Sequence, residues 1–555
     1  MMVLYRILIP KQGNRMKRLI FIALVVIIGC DRASNELSSQ KGHEIQLTDK
    51  TNPWFQSSIN ELEQKRLVAE KIQNQLGAAK NIILFVGDGM SLTTVTASRI
   101  FEGQRKGLLG EENNLSFDQF PFSGLAKTYA VDTQVPDSAS TMTAIMTGVK
   151  TNRGIVGISE KVRRGNCATQ AGNEVISALD LAELAGLSTG IVTTTRVTHA
   201  TPAATYAKSP DRDWEDPSKM PQSAIDAGCQ DIAAQFIAYQ SNLNQRYPGA
   251  DADGIEVVMG GGLRHFLPAE KTANNKYGIG NRSDGRNLVN EWKKINSQGT
   301  YLGNRTDFDA TDFDEATQVL GLFSGSHMRF EANRKHNGYK QPSLSEMTAN
   351  AIKVLQKNPK GFFLMVEAGR IDHAHHTSNA YNALSDTVEL SNAVDVAMQA
   401  TDGDDTLIIV TADHGHVFTM AGYPKRGNPI LGKVVPLGQT KPSLAVDNLP
   451  YTTLGYANGR GHRHLGMETD ADECYDGPVY AGRANLTGMD TTQPGFFQES
   501  LVPLTSETHS GEDVAIYASG PGAHLISGSN EQTIIFHVMN HAAGLVDKAE
   551  RALSR

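Results

Sequence analysis

Residues 362–376 read FFLMVEAGRIDHAHH: five apolar side chains in a row, then two acids, one arginine and three histidines. So short an apolar run, with no polar alternation, marks a strand covered on both faces, as in a parallel sheet. Polar groups placed directly after it face the carboxyl edge, where open α/β sheets hold their ligands. Asp372 and His376 are four residues apart, so a helix here turns both to one face, where they can grip one metal ion. The same spacing also serves as an exposed helix pair. His373 and His375 point elsewhere.

The pattern repeats along the chain. Apolar runs at Ile82–Val86, Gly190–Val192, Ile255–Met259, Leu407–Val410 and Val514–Ala518 alternate with helical patterns at Glu174–Ala185, Leu344–Leu355 and Tyr381–Met398. This predicts an α/β fold: a mostly parallel central sheet with helices on both faces. Three further polar clusters follow predicted strands: Gly87-Asp88-Gly89, Thr198-His199-Ala200-Thr201 and Thr411-Ala412-Asp413-His414. Asp413 and His414 would face opposite ways on a continuing strand, so sharing a ligand requires a turn, which Gly415 permits. Asp and His donors suit zinc, and the absence of a cysteine cluster argues against a zinc finger. VPDSASTMTAIMTGVK, residues 135–150, predicts a helix beginning near Ser138. A serine there is ordinarily an N-cap, but the same place puts a hydroxyl where a helix end stabilises phosphate. No histidine lies close in sequence to act as its base, and a metal can replace one.

The chain has 555 residues, 40% of them hydrophobic, and a formal net charge of −8, which excludes the basic surface that a nucleic acid polymer requires. Lys17 and Arg18 precede the apolar run Leu19–Ile28, the length of a signal-peptide core. Residues 1–29 therefore read as a signal, with Met16 an alternative start, and Cys30 as a lipidation site; an ordinary cleaved signal or an uncleaved anchor are the alternatives. Residues 30–50 read as a polar tether, 51–548 as the main domain, and 420–505 as a loop-rich insertion within it. Cys167, Cys229 and Cys474 then leave one pair and one spare thiol in an oxidising compartment.

GDGM, VPDSAS, TTTRVTHATPA, NEVIS, GFFLMVEAGRIDHAHH, TADHGHVFTMAGYPKRG and ETHSGEDVAIYASGP follow one another in this chain in the order of the alkaline phosphatases. Residues 52–546 resemble that family, the animal type more closely than the enteric bacterial type. The resemblance implies metal-dependent hydrolysis of small phosphate monoesters, through a phosphoserine intermediate at Ser138 and with an alkaline optimum. It implies two zinc ions and one magnesium ion per subunit: Asp372, His376 and His509 on the first zinc, Asp88, Asp413 and His414 on the second, and Asp88, Thr201 and Glu367 on magnesium. Arg212 would clamp the phosphate oxygens. His199 stands where enteric enzymes carry an aspartate beside the magnesium, and His373 would lie near the phosphate without binding metal. The resemblance also implies a Cys167–Cys229 disulfide and a homodimer capped by the insertion, or crown. The animal calcium site is not expected, because its acidic positions read Ser324 and Gln341. Together with the signal, the family places the enzyme outside the cytoplasm, periplasmic or on the cell surface and membrane-anchored through Cys30. Related sulfatases and phosphodiesterases are the nearest rivals. The sulfatase pattern is absent after Ser138, where the chain reads Ala139-Ser140-Thr141-Met142, and Arg212 favours a monoesterase. An inactive phosphate- or metal-binding surface lipoprotein would have lost Ser138 or a ligand.

Overall fold

The computed structural model describes residue 67 and residues 79–270, 279–472 and 475–554. The signal, the tether with Cys30, and Cys474 lie outside the described residues. Everything that follows belongs to the unit Glu63–Arg555.

A ten-stranded sheet organises the molecule. Its strands are β1 (Asn81–Gly87), β2 (Phe122–Lys127), β3 (Ser188–Arg196), β4 (Val257–Gly261), β5 (Thr300–Leu302), β6 (Val319–Leu322), β7 (Phe362–Ala368), β8 (Thr406–Ala412), β9 (Val514–Ser519) and β10 (Ser529–Glu531). They lie in the order β10-β2-β9-β8-β1-β7-β3-β4-β6-β5. From β8 to β5 every pairing is parallel, and only β9 runs against its neighbours β2 and β8. The predicted mostly parallel α/β sheet is what forms. β1, β7 and β8 are buried at every position, as expected of strands covered on both sides.

Register then decides the chemistry. Val86 pairs with Glu367, and Glu367 with Thr193, while Gly87 pairs with both Ala368 and Ala412. The residues after β1, β3, β7 and β8 therefore leave the sheet at one level, which is why four segments distant in sequence meet.

The helices that matter here are α1 (Leu92–Arg105), α2 (Ser138–Thr147), α3 (Ala178–Leu184), α4 (Ala200–Tyr206), α5 (Leu344–Leu355), α6 (Arg370–His376), α7 (Ala380–Ala400) and α8 (Leu545–Leu553). α5 matches its predicted span. α3 is shorter than the predicted Glu174–Ala185, because Ser177 caps it: its side chain accepts from the Asp180 amide while the Asp180 carboxylate accepts from the Ser177 amide. The strand predicted from Ile255 begins at Val257. β2, β5, β6 and β10 were not foreseen; β5 and β10 have three residues each, and the β2 sequence FSGLAK lacks an apolar run.

Among the described residues, 420–505 hold only short strands, the end of Phe418–Met420 and then Leu454–Gly459, Arg463–His464, Phe496–Phe497 and Ser500–Pro503, so the loop-rich expectation describes them well. The insertion is seated by apolar contact: Ile430, Leu431, Leu454 and Tyr456 cluster with Ile100 and Phe101 of α1 and Leu384 of α7. Cys167 and Cys229 form a disulfide.

Candidate active site

Two donor clusters form at the carboxyl edge. In the first, Nε2 of His376 and of His509 each lie 3.3 Å from Asp372 Oδ1 and 3.2 Å from each other. α6 supplies Asp372 and His376 from one face, as the i, i+4 spacing requires. His509 arrives on a two-residue strand, His509–Ser510, paired to Gly415–His416. In the second cluster, His414 Nε2 lies 3.3 Å from both Asp88 Oδ1 and Asp413 Oδ2. Ser138 Oγ stands 3.2 Å from the same nitrogen and 3.4 Å from Asp88 Oδ1. The two clusters touch through the stacked rings of His414 and His509, 3.6 Å apart.

Four ligands around zinc, each at about 2.0–2.1 Å, sit about 3.3 Å from one another in a tetrahedron. Both clusters have this spacing. Burial strengthens the case, since Asp88, Asp413, His414 and Glu367 are all 0% exposed. Burial first, then mutual repulsion among the carboxylates, raises the pKa of Asp88 well above the ordinary range. Asp413 is also raised, and burial pushes Glu367 up to about 7. Bringing so many acids together out of water requires cations between them.

A third cluster shares Asp88, whose Oδ2 accepts from Thr201 Oγ1 at 3.3 Å. Donor atoms of Asp88, His199 and Glu367 fall within 4.8 Å of one another. Glu367 Oε2 accepts from Thr193 and Thr195, whereas Oε1 is buried without a hydrogen-bond partner among the described residues. An orphaned carboxylate oxygen beside a hydroxyl and a second carboxylate suits a hard, oxygen-binding cation such as magnesium.

The N-cap of α2 is Asp137, not Ser138, which occupies the first helical turn. Asp137 Oδ1 accepts from the amides of Ser140 and Gly154, and its Oδ2 accepts from Arg212 Nη1 at 3.0 Å. One side chain thus ends the helix beside Ser138 and holds the guanidinium there. Arg212 Nη2 donates to His199 Nε2 at 3.1 Å. His373 turns away from the first cluster, toward His199 and His327, with ring centroids 5.7 and 4.1 Å away.

Sequence reasoning missed His416 and Glu507. His416 Nε2 meets Asp372 Oδ1 at 2.8 Å, and its Nδ1 meets Glu507 Oε2 at 2.6 Å. Burial opposes its charged form, but Glu507 and Asp372 on its two sides push its pKa up to about 10. With both ring nitrogens engaged by carboxylates, His416 orients Asp372 instead of binding metal. Burial works against ionised Asp372 too, yet the nearby His376 and the hydrogen bonds from His416 and His509 hold its pKa well below the usual carboxylate range. The backbone carbonyl of Glu507 accepts from His376 Nδ1 at 2.7 Å, so this one residue steadies two predicted ligands. A signal existed: His416 and Glu507 stand two residues from His414 and His509 in the sequence. Gly415 permits the turn by its small size and not by a positive φ: a Cβ there would meet Glu512 Oε1 at 2.6 Å and Ser510 Oγ at 2.8 Å.

His375, with no role readable from sequence, is a fully buried strut. Nε2 bonds Thr94 Oγ1 of α1 at 2.9 Å and Nδ1 bonds the Tyr456 hydroxyl at 2.8 Å. Replacing it with alanine opens a cavity and strands the buried Tyr456 hydroxyl, while Thr94 Oγ1 keeps Ser91 Oγ at 3.0 Å, a cost of about 2–4 kcal/mol. The expected result is a clearly lower melting temperature, read by circular dichroism, with zinc content of the folded protein unchanged.

An α/β sheet whose carboxyl edge gathers buried carboxylates, imidazoles and a helix-end serine defines a metal-binding hydrolase of phosphate chemistry. The chain belongs to the alkaline phosphatase family: the family model described as Alkaline phosphatase matches residues 79–545. It is 45% identical over 472 residues to the human tissue-nonspecific isozyme of alkaline phosphatase, covering 84% of each chain. To the alkaline phosphatase of Gadus morhua it is 42% identical over 498 residues, 89% of this chain and 96% of that one. Among solved structures, the alkaline phosphatase of Thermus thermophilus shares the fold with a TM-score of 0.58 and 24% identity, covering 87% of this chain and 97% of that one. The Antarctic bacterium TAB5 enzyme does so with a TM-score of 0.55 and 23% identity, covering 85% and 99%. The chain is a phosphatase that hydrolyses phosphate monoesters, and its family implies metal cofactors.

Proposed function

We propose that hydrolysis proceeds through a phosphoserine at Ser138, with Arg212 binding the transferred group. The observation that carries this reading is the convergence of Ser138 Oγ with Asp88 Oδ1 and His414 Nε2 at the start of α2. Asp372, His376 and His509 would hold one zinc ion, Asp88, Asp413 and His414 a second, and Asp88, Thr201 and Glu367 a magnesium ion. Such ions supply Lewis acidity, lowering the serine pKa and neutralising the leaving oxygen. Ser138 Oγ gives up its proton and attacks phosphorus in line with the departing alcohol oxygen, forming the phosphoserine ester and releasing the alkoxide, which takes up a proton and departs as the alcohol. Arg212, braced by Asp137, presents its fork to the non-bridging oxygens. Water then attacks the same phosphorus from the vacated side and Ser138 leaves with the proton. An alkaline optimum follows from the hydroxide-like nucleophile each half-reaction needs.

Orphaned Glu367 Oε1 supports the magnesium assignment. Gln341 donates to the Phe323 carbonyl and accepts from the Arg329 amide, so an amide stands where an acidic calcium ligand would be, and we assign no calcium there. Attachment through a lipid on Cys30, a periplasmic or cell-surface location, the division at residues 29, 50 and 548, and a crown-capped homodimer belong to this reading. Among the described residues no helix is long and apolar enough to cross a membrane.

Phosphate release from a chromogenic monoester, compared with a diester and a sulfate ester, before and after chelation and zinc/magnesium restoration, tests it; preference for the diester overturns it. Glu507→Gln adds a sharper check. Losing the charge that faces His416 is expected to weaken zinc affinity about 10–100-fold. Activity titrated against free zinc reads the shift, with the plateau rate nearly unchanged.

A further inference from the structure

A hollow lined by cations that lack an ion-pair partner among the described residues, Lys548 half-buried and Lys360 and Arg551 exposed, is the feature that marks a site here. A cavity of about 480 Å³ beside the disulfide has its charges matched, Lys208 to Asp180 at 2.8 Å and Arg246 to Glu174 at 3.5 Å. A second cavity, about 350 Å³, differs: it is lined by Ala185, Leu187, Lys360, Lys548, Arg551 and Ala552. None of its three cations makes an ion pair or side-chain hydrogen bond with a described residue. On a chain with a net charge of −8, three unbalanced cations around one hollow are unexpected.

Local structure builds the hollow. Gly186, just past the end of α3, has φ +72°, and a Cβ there would come within 2.6 Å of Lys360 Nζ. The glycine thus both ends the helix and lets the lysine lie across it. Lys548 projects from α8 and is partly buried, and burial, then the neighbouring Arg551, push its pKa down. The end of α8 accounts for Arg551 as a dipole partner, but Lys548 lies a turn earlier and Lys360 comes from another segment. Leu187 immediately precedes β3 and Lys360 lies two residues before β7, so the hollow lies at the amino edge of the sheet. The seven residues of β7 separate it from the catalytic edge by about 20 Å.

We propose that this hollow is a second anion site, built for a phosphate group carried by a small ester or a phospholipid headgroup. Three positive charges in so small a volume match a doubly charged oxyanion; the guanidinium fork takes two oxygens and the ammonium groups the rest. Ala185, Leu187 and Ala552 give the carbon side of an ester an apolar wall. The volume falls in the range of small-molecule pockets.

The metal-loaded full chain tests this directly. Equilibrium dialysis with labelled inorganic phosphate should find two phosphates per chain in the parent and one in K360A/K548A/R551A, with monoester hydrolysis unchanged in both. In a parallel arm, flotation with phosphatidylglycerol and with phosphatidylcholine vesicles should show extra retention on the anionic vesicles that the triple variant loses. Loss in the first arm alone identifies free phosphate or a soluble ester as the ligand, and loss in the second identifies the headgroup. K360R/K548R, which keeps the charge, should bind as the parent does, and Lys548→Gln stands in should the triple variant misfold. Identical phosphate stoichiometry and identical vesicle retention in parent and variants would overturn the proposal. Since Ser138 and the metal donors are untouched, this outcome is separable from failure of the catalytic assignment.

Discussion

Ser138→Ala is expected to cut phosphate release by about 10⁴-fold or more, the scale seen when a nucleophile acting as a unit with its activators is removed. The side chain is 2% exposed, and among the described residues its Oγ is the only hydroxyl hydrogen-bonded to both Asp88 Oδ1 and His414 Nε2. No neighbouring group is in place to substitute, since Thr141 Oγ1 is committed to Asp413 Oδ2 and to the backbone of α2. Alanine at the first turn keeps the helix, because the cap is Asp137. Zinc and magnesium content should therefore match the parent, and acid quenching during turnover should trap phosphoprotein in the parent and none in the variant. Turnover within about tenfold of the parent would mean that water attacks directly and Ser138 only positions it, since general positioning effects reach that scale without covalent chemistry.

The carboxyl-edge cluster was legible because each part carries a local signal: an apolar run, then acids and histidines. Asp88, Glu367, Asp372, Asp413 and His414 all announce themselves that way, and register brings them together. Asp137 was hidden because an acid before a helix reads as an ordinary cap, and nothing in its neighbourhood points to Arg212, 75 residues on. His416 and Glu507 were hidden by company: each sits in a quoted motif whose other members had taken the chemistry. His327 reaches His373 only because the loop after β6 folds over the sheet, with the Met328 amide donating to the Thr194 carbonyl at 2.9 Å, a contact no spacing rule encodes. The edge strands were unreadable for a simpler reason: three or four residues are too few to show a period.

Chelation is expected to abolish activity and to make stability depend on pH in a particular direction. Without cations, burial and mutual repulsion hold the pKa values of Asp88, Asp413 and Glu367 above their unfolded values of about 4, with Glu367 at about 7. At these three groups the folded apoprotein binds more protons than the unfolded chain, so their contribution to stability is greatest at acid pH and falls as pH rises from about 4 through 7, while buried imidazoles such as His373, His375 and His414, whose pKa values burial pushes down, contribute the opposite slope at acid pH. Asp372 acts oppositely, its pKa being depressed, but its contribution is complete above about pH 4 and adds no slope beyond. In the loaded enzyme metal cations take the place of those protons, and the slope from these three carboxylates should vanish. Melting curves of chelated and zinc/magnesium-restored protein at pH 5, 6.5 and 8 should therefore diverge, the gap widening with each step. A gap that is constant or narrows would show that the carboxylates are compensated from within the protein. The clusters would then be structural ion-pair networks, with metal adding catalysis but little to the fold.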